Sequence, residues 1–267
     1  NYLFVDGRYT LQANNQSGGI FKIITIPDKM PNDILKGKKL SIGFDPNLFT
    51  ERSLSIFFGK NRFKLKPISQ NLIDAIWKRS IIKNNNKFYL LPNEAISENY
   101  RLKIGKISKY LKKKKSNFLF VTASENNAWL LNIRGRDTKY TPIPNSYILI
   151  DQDRNIKLFC DLKKISSSLR KRFKKIKFLD IKVCSKTLLG IKKKKFIIDS
   201  NSCSIFFKFI INKNNKILNL QDPIYFLKAV KGKQEIENIK KAHIDDGVAL
   251  TKYLFWLKKN FYKKNIT

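Results

Sequence analysis

The chain has one histidine, one methionine and three cysteines among 267 residues. An odd number of cysteines with no CxxC pair argues against a disulfide framework or a zinc knuckle. Cys160, Cys184 and Cys203 read instead as small buried apolar side chains in a reduced, cytoplasmic compartment. No run of about 18 apolar residues is present, so neither a transmembrane helix nor a membrane partner is expected. The opening residues, NYLFVDGRYT, have no basic head leading into a long apolar stretch and do not read as a secretory signal. The chain starts at Asn1 rather than Met, as the middle of a longer protein would. There is no GxSxG elbow, no P-loop and no GxGxxG. The pair Gly18-Gly19 sits in a loop without the Lys-Ser/Thr that a phosphate cradle needs. No internal repeat is visible.

Acidic residues are also scarce. Twenty Asp and Glu face 55 Lys and Arg, for a formal charge of +35. Clustered cations of this kind suit nucleic acid or an anionic membrane. Compositional drift gives the same charge, because Lys far outnumbers Arg, and Asn and Ile are abundant, as in AT-rich genomes. The lysine runs at 112–115, 163–164, 174–175 and 192–195 are scattered, and aromatics do not interleave with them at a regular spacing. Drift is therefore preferred, and no specific nucleic-acid partner is expected.

The 42% hydrophobic content supports one large domain or two modest ones. Strand-like runs at 2–5, 21–26, 39–44 and 64–68 alternate with helical pieces at 47–58 and 71–77, which predicts a layered α/β unit. Residues 78–96, with an Asn run and a proline, read as a linker. Beyond it, Tyr100, Ile104, Ile107 and Leu111 fall on one helical face, with Ser97 as the expected N-cap. Lysines at 112–115 suit the helix end. The run 118–121 predicts a strand buried on both faces. Strands at 147–150, 156–160 and 196–199, a basic helical piece near 164–175 and a helix near 202–212 complete a second α/β unit. From Gly232 a long helix is expected, with Ile236, Ile239, His243, Leu250, Leu254 and Leu257 at helical spacing.

Residues 125–150, ENNAWLLNIRGRDTKYTPIPNSYILI, are the most informative stretch. The apolar segment AWLLNI reads as a buried strand that delivers Arg134, Arg136 and Asp137 to a loop. Gly135 is expected to supply a turn conformation that a β-carbon would penalise. Asp137 would pair with one of the two arginines or cap the loop. Near the N-terminus, Asp6-Gly7-Arg8-Tyr9 follows a strand, so the turn can aim the rigid Arg8 fork at a carboxylate or a peptide carbonyl. Pairing with a local acid is the plainer role for Arg8. His243 reads as a core residue of the long helix. With Asp245 and Asp246 it cannot complete a metal site from one helix.

Five segments in one order resemble the Xaa-Pro aminopeptidases, proline-specific metallopeptidases related to creatinase. They are LFVDGRYTLQA near the N-terminus, IGFDP at 42–46, NLIDAIW at 71–77, the 98–150 region with AWLLNIRGRD and NSY, and FLKAVKGKQEIENIKKAHIDDGVALTKYLFWL at 226–257. Pro144 and Asn145 stand where that family usually has aromatics.

The resemblance implies an α/β fold of two successive creatinase N-terminal-like domains, with mixed sheets flanked by helices, at 1–77 and 97–227. The first would lack its leading strands. Residues 228–267 would open a truncated pita-bread catalytic domain. The resemblance also implies that Arg8 contacts a peptide substrate with proline at its second position. The family's two divalent metal ions, usually Mn²⁺, are held by two Asp, one His and two Glu, which would lie beyond Thr267. No catalytic or metal-binding residue is then expected within these residues, and the stretch alone would be inactive. Any homodimer would form through the absent catalytic domain. The alternatives are a non-catalytic peptide- or protein-binding module of creatinase-like fold and a basic nucleic-acid-binding protein.

Overall fold

A computed structural model describes residues 1–59, 63–77 and 85–262. Part of the expected linker, 78–84, and the last five residues of the segment 228–267 lie outside the described residues. In chain order the elements are β1 (Tyr2–Asp6), α1 (Thr10–Gln16), β2 (Lys22–Ile26), α2 (Pro31–Ile34), β3 (Ser41–Phe44), α3 (Glu51–Phe58), β4 (Lys64–Pro67) and α4 (Leu72–Ile76). They continue as β5 (Tyr89–Leu90), α5 (Tyr100–Lys113), β6 (Phe118–Val121), α6 (Ser124–Leu131), β7 (Ile133–Arg134), β8 (Tyr147–Asp151), β9 (Ile156–Cys160), α7 (Ser167–Arg172) and β10 (Ile176–Asp180). The last are α8 (Cys184–Leu189), β11 (Lys195–Ile198), α9 (Ile205–Asn212), β12 (Lys216–Asn219), α10 (Pro223–Ala229) and α11 (Lys233–Asn260). Two compact units result, one of Asn1–Lys83 with Ser185–Gln221, the other of Asn84–Cys184 with Asp222–Thr267.

The first unit is built from parallel pairs. β1 pairs with β2, β3 with β4, and β11 with β12. Parallel neighbours need a crossover, and α1, α3 and α9 occupy those connections. α3 starts where sequence chemistry sets it. The Thr50 hydroxyl accepts from the Ser53 amide at 3.1 Å, and the Ser53 hydroxyl accepts from the Thr50 amide at 2.9 Å, a reciprocal cap. Its buried Leu54 packs with Phe44 and Ile205, flanked by Phe49, Phe58 and Leu65. Backbone amides of Ile205 and Phe206 donate to Phe49 and Pro46 carbonyls, each at 2.9 Å. These bonds sew the later segment into the earlier one.

In the second unit, four neighbouring strands run in the order β10-β9-β8-β6. β6 and β9 flank β8 antiparallel, and β10 lies parallel to β9, so the sheet is mixed. Leu119 faces Ile150 and Ile148 faces Leu158 across the ladders, and all four are buried. The unbroken apolar run of β6 follows from burial on both faces. The β8–β9 turn is set by Asp151, whose Oδ1 accepts from the amides of Asp153 and Asn155, each at 2.9 Å.

α5 buries the expected stripe of Tyr100, Ile104, Ile107 and Leu111. Full burial of a side chain such as Ile107 or Leu111 contributes about 1.5–3 kcal/mol. The cap is not Ser97. Asn99 Oδ1 accepts from the Arg101 amide at 2.9 Å, while Ser97 Oγ accepts from the Glu235 amide at 3.1 Å at the start of α11. Asn99 wins because it directly precedes the first helical residue.

The segment AWLLNI is not a strand. Its first four residues end α6, Asn132 closes the helix in the left-handed region with φ 54°, and only Ile133 and Arg134 extend, pairing with β5. α6 is buried on several sides, so it has no polar face to mark a helical period, and a short apolar run cannot distinguish helix from strand. Its Asn126 and Asn127 are buried as well. Asn126 donates to Asp222 Oδ2 at 2.7 Å and Asn127 to the Ser146 carbonyl at 2.7 Å.

α11 runs unbroken through Gly247, and no residue of it is buried.

Candidate functional site

Arg8 follows β1 in a short 3-10 turn, Gly7–Tyr9. Asp6 caps this turn. Its Oδ1 accepts from the Arg8 amide at 3.0 Å and from Arg8 Nε at 2.9 Å, and its Oδ2 accepts from an Arg8 terminal nitrogen at 3.3 Å. These hydrogen bonds hold the Asp6 carboxyl below its usual value and raise that of the guanidinium. The Arg8 side chain is 79% exposed. A local acid therefore holds one edge of the fork, as the plainer alternative anticipated. The other edge keeps donors that can meet a carboxylate or a carbonyl.

The RGRD loop is structural in three of its four positions. Arg134 is half-buried, and its terminal nitrogen donates to the carbonyls of Ala128 and Ile133 at 3.2 and 2.9 Å. It therefore serves the end of α6. Burial pulls its guanidinium below the ordinary value. Gly135 has no left-handed backbone, contrary to expectation. It is required because a Cβ there would lie 2.7 Å from Pro144 Cα. Asp137 pairs with Lys164 rather than with either arginine, and its Oδ2 also accepts from the Asn145 amide at 2.6 Å. Arg136 is exposed, with its guanidinium 5.9 Å from the Tyr89 ring centroid.

His243 is exposed on α11, as are Asp245 and Asp246. The expected core position fails because the whole helix lacks buried residues. Among the described residues no group of three or more His, Cys, Asp or Glu converges to hold a metal ion. The described residues do not fit a two-metal centre.

Lys103 was not anticipated. It is 3% exposed. Its Nζ donates to the Trp129 carbonyl at 2.8 Å and to Asn132 Oδ1 at 2.6 Å, and lies 3.9 Å from the Trp129 ring centroid. The ammonium thus meets the carboxyl end of α6, where a cation is favoured. Burial still lowers its pKa to about 8. The signal was available, since Lys103 lies on the same face of α5 as Tyr100 and Ile107. A second buried network joins Lys228 Nζ to Asn126 Oδ1 at 2.5 Å, and Asn126 to Asp222.

These features define a mixed α/β protein with helix-flanked sheets. The profile of the creatinase/prolidase N-terminal domain matches residues 81–235, and the chain belongs to that family. A probable Xaa-Pro aminopeptidase P of Laccaria bicolor is 31% identical over 276 residues, covering 97% of this chain and 42% of the relative. One from Paracoccidioides brasiliensis is 31% identical, covering 98% and 46%. Among solved structures, the X-prolyl aminopeptidase of Caenorhabditis elegans, described as a cytosolic enzyme with a di-nuclear active site, superposes with a TM-score of 0.80. It is 25% identical, over 97% of this chain and 45% of that one. The chain spans less than half the length of these relatives.

Proposed function

We propose that these residues form the substrate-covering part of an Xaa-Pro aminopeptidase, which releases the N-terminal residue from peptides with proline at the second position. We assign 1–77 together with 185–221 to the first covering domain and the rest of 97–227 to the second, joined near 78–96, following the two compact units, and 228–267 to the opening of the pita-bread catalytic domain. The observation that carries this is similarity along 97% of the chain to an X-prolyl aminopeptidase, with a TM-score of 0.80. Arg8 contacts the peptide through the donors that Asp6 leaves free. The two divalent metals, Mn²⁺, are held by residues other than these. The protein works in the cytoplasm, and any homodimer forms through the catalytic domain.

The test is to incubate the chain with Mn²⁺ and an Xaa-Pro-containing tripeptide, with the Caenorhabditis elegans enzyme as positive control. The chain is expected to release no amino acid while the control does. Turnover by these residues alone would refute the assignment of the metal ligands elsewhere. Calorimetric titration of the same tripeptide into the chain should give weak binding that Arg8→Ala weakens about tenfold further, the order expected for one lost charge-assisted bond. Binding unchanged in that variant would remove Arg8 from the substrate site.

A further inference from the structure

We propose that the cavity between the start of α5 and the end of α7 binds a small phosphate-bearing anion of about the size of a diphosphate. The cavity has a volume of about 340 Å³ and is lined by Asn99, Tyr100, Arg101, Lys171, Arg172 and Lys174. Four of its six lining residues are cations, and among the described residues none of the four has a carboxylate partner. Like charges gathered in one concave surface repel, and an anion with several acceptor oxygens relieves that repulsion.

The site is also organised from beneath. Tyr100 is buried and meets the buried Phe173 edge-on at 4.9 Å between centroids. Arg101 Nε donates to the Tyr100 hydroxyl at 3.3 Å, which orients its fork. Arg172 immediately precedes Phe173, so the same aromatic contact fixes its backbone at the rim of the cavity. An adjoining cavity of about 580 Å³ shares Tyr100 and Arg101 and adds Arg154 and Lys175, with Asp153 as its acid. A second phosphoryl group finds its partners there.

The overall charge does not by itself produce this arrangement. Arginine is the minority cation, ten residues against 45 lysines, yet three of the ten line these two cavities. Arginine's planar fork suits phosphate oxygens in a way the lysine point charge does not.

Pyrophosphate titrated calorimetrically into the chain at about physiological salt should bind saturably at one site. Arg101→Gln/Arg172→Gln should weaken binding at least about tenfold, the order expected for lost charge-assisted bonds. Lys171→Gln/Lys174→Gln, both exposed, should weaken it as well and guards against misfolding of the first pair. Lys109→Gln/Lys113→Gln removes equal charge from exposed positions further along α5 and should leave binding unchanged. Equal losses in all three pairs, or no saturation, would overturn the site in favour of a diffuse field. Failure of pyrophosphate with arginine-dependent binding of a single-stranded RNA oligonucleotide would overturn it in favour of a nucleic-acid surface.

Discussion

The Asp137 carboxylate and the Lys164 ammonium form an ion pair that ties the loop after β7 to the segment before α7. The Asp137 side chain is 1% exposed and that of Lys164 12%. Neither charge has water to fall back on. Removing one partner of a buried pair leaves the other stranded, which costs about 3–5 kcal/mol. Asp137→Asn should therefore lower the unfolding free energy by that much, read as a lower urea midpoint at unchanged slope. Asp137→Leu/Lys164→Met should recover most of the loss, because a well-packed apolar replacement removes both desolvation costs. A single substitution that proves nearly neutral would mean that the pair is solvated.

The three cysteines are buried and free. Burial pushes the Cys160 and Cys184 thiols up to about 12, so the thiolate that reacts is almost absent at neutral pH. A disulfide reagent such as dithionitrobenzoate should label none of the three in the folded chain and all three in denaturant. Rapid labelling of Cys160 or Cys184 under native conditions would contradict their placement.

Lys103 links stability to pH. Its folded pKa, about 8, lies below the ordinary value of 10.5. Below about 8 the amine is protonated in both states, and the folded state bears the cost of a buried charge. Between about 8 and 10.5 the unfolded chain binds the proton and the folded chain does not, so Lys103 makes stability rise with pH, by at most about 1.4 kcal/mol per unit. Comparing unfolding free energies at pH 7.5 and 9.5 isolates this. Lys103→Met should remove the increment that the parent chain gains over that interval. An identical pH slope in both proteins would show that the amine keeps an ordinary pKa in the folded state.

Where the fold was legible in the sequence, one face of an element was apolar and the other polar. The α5 stripe from Tyr100 to Leu111 belongs to that class, whereas the strand at 147–150 was legible as an unbroken apolar run buried on both faces. α6 was misread as a strand because it is packed on several sides and its polar residues find buried partners far along the chain, Asn126 with Asp222 being 96 positions away. Asp137 was seen to need a cation, but its choice of Lys164 over neighbouring arginines depends on how the loop is folded back. His243 looked like core because the stripe on α11 is apolar, yet Ile244, Leu250, Leu254 and Phe255 are all exposed. Spacing reports an apolar face and says nothing of what covers it.

Arg8 separates stability from substrate contact. Its side chain reaches into solvent and its ion pair is exposed, so Arg8→Ala should leave the thermal midpoint of the chain where it is. Under the proposed function the same substitution in the catalytically complete enzyme should raise KM for an Xaa-Pro tripeptide about tenfold, the order expected for one lost charge-assisted bond, with kcat little changed. Arg8→Lys should rescue poorly, because an ammonium cannot keep the Asp6 contacts and still present a second edge to the peptide. Asp6→Asn retains an acceptor for the Arg8 amide but frees the guanidinium, and should give an intermediate KM. If all three variants cleave the tripeptide with the parent KM, the exposed pair only closes a turn and the peptide is held elsewhere.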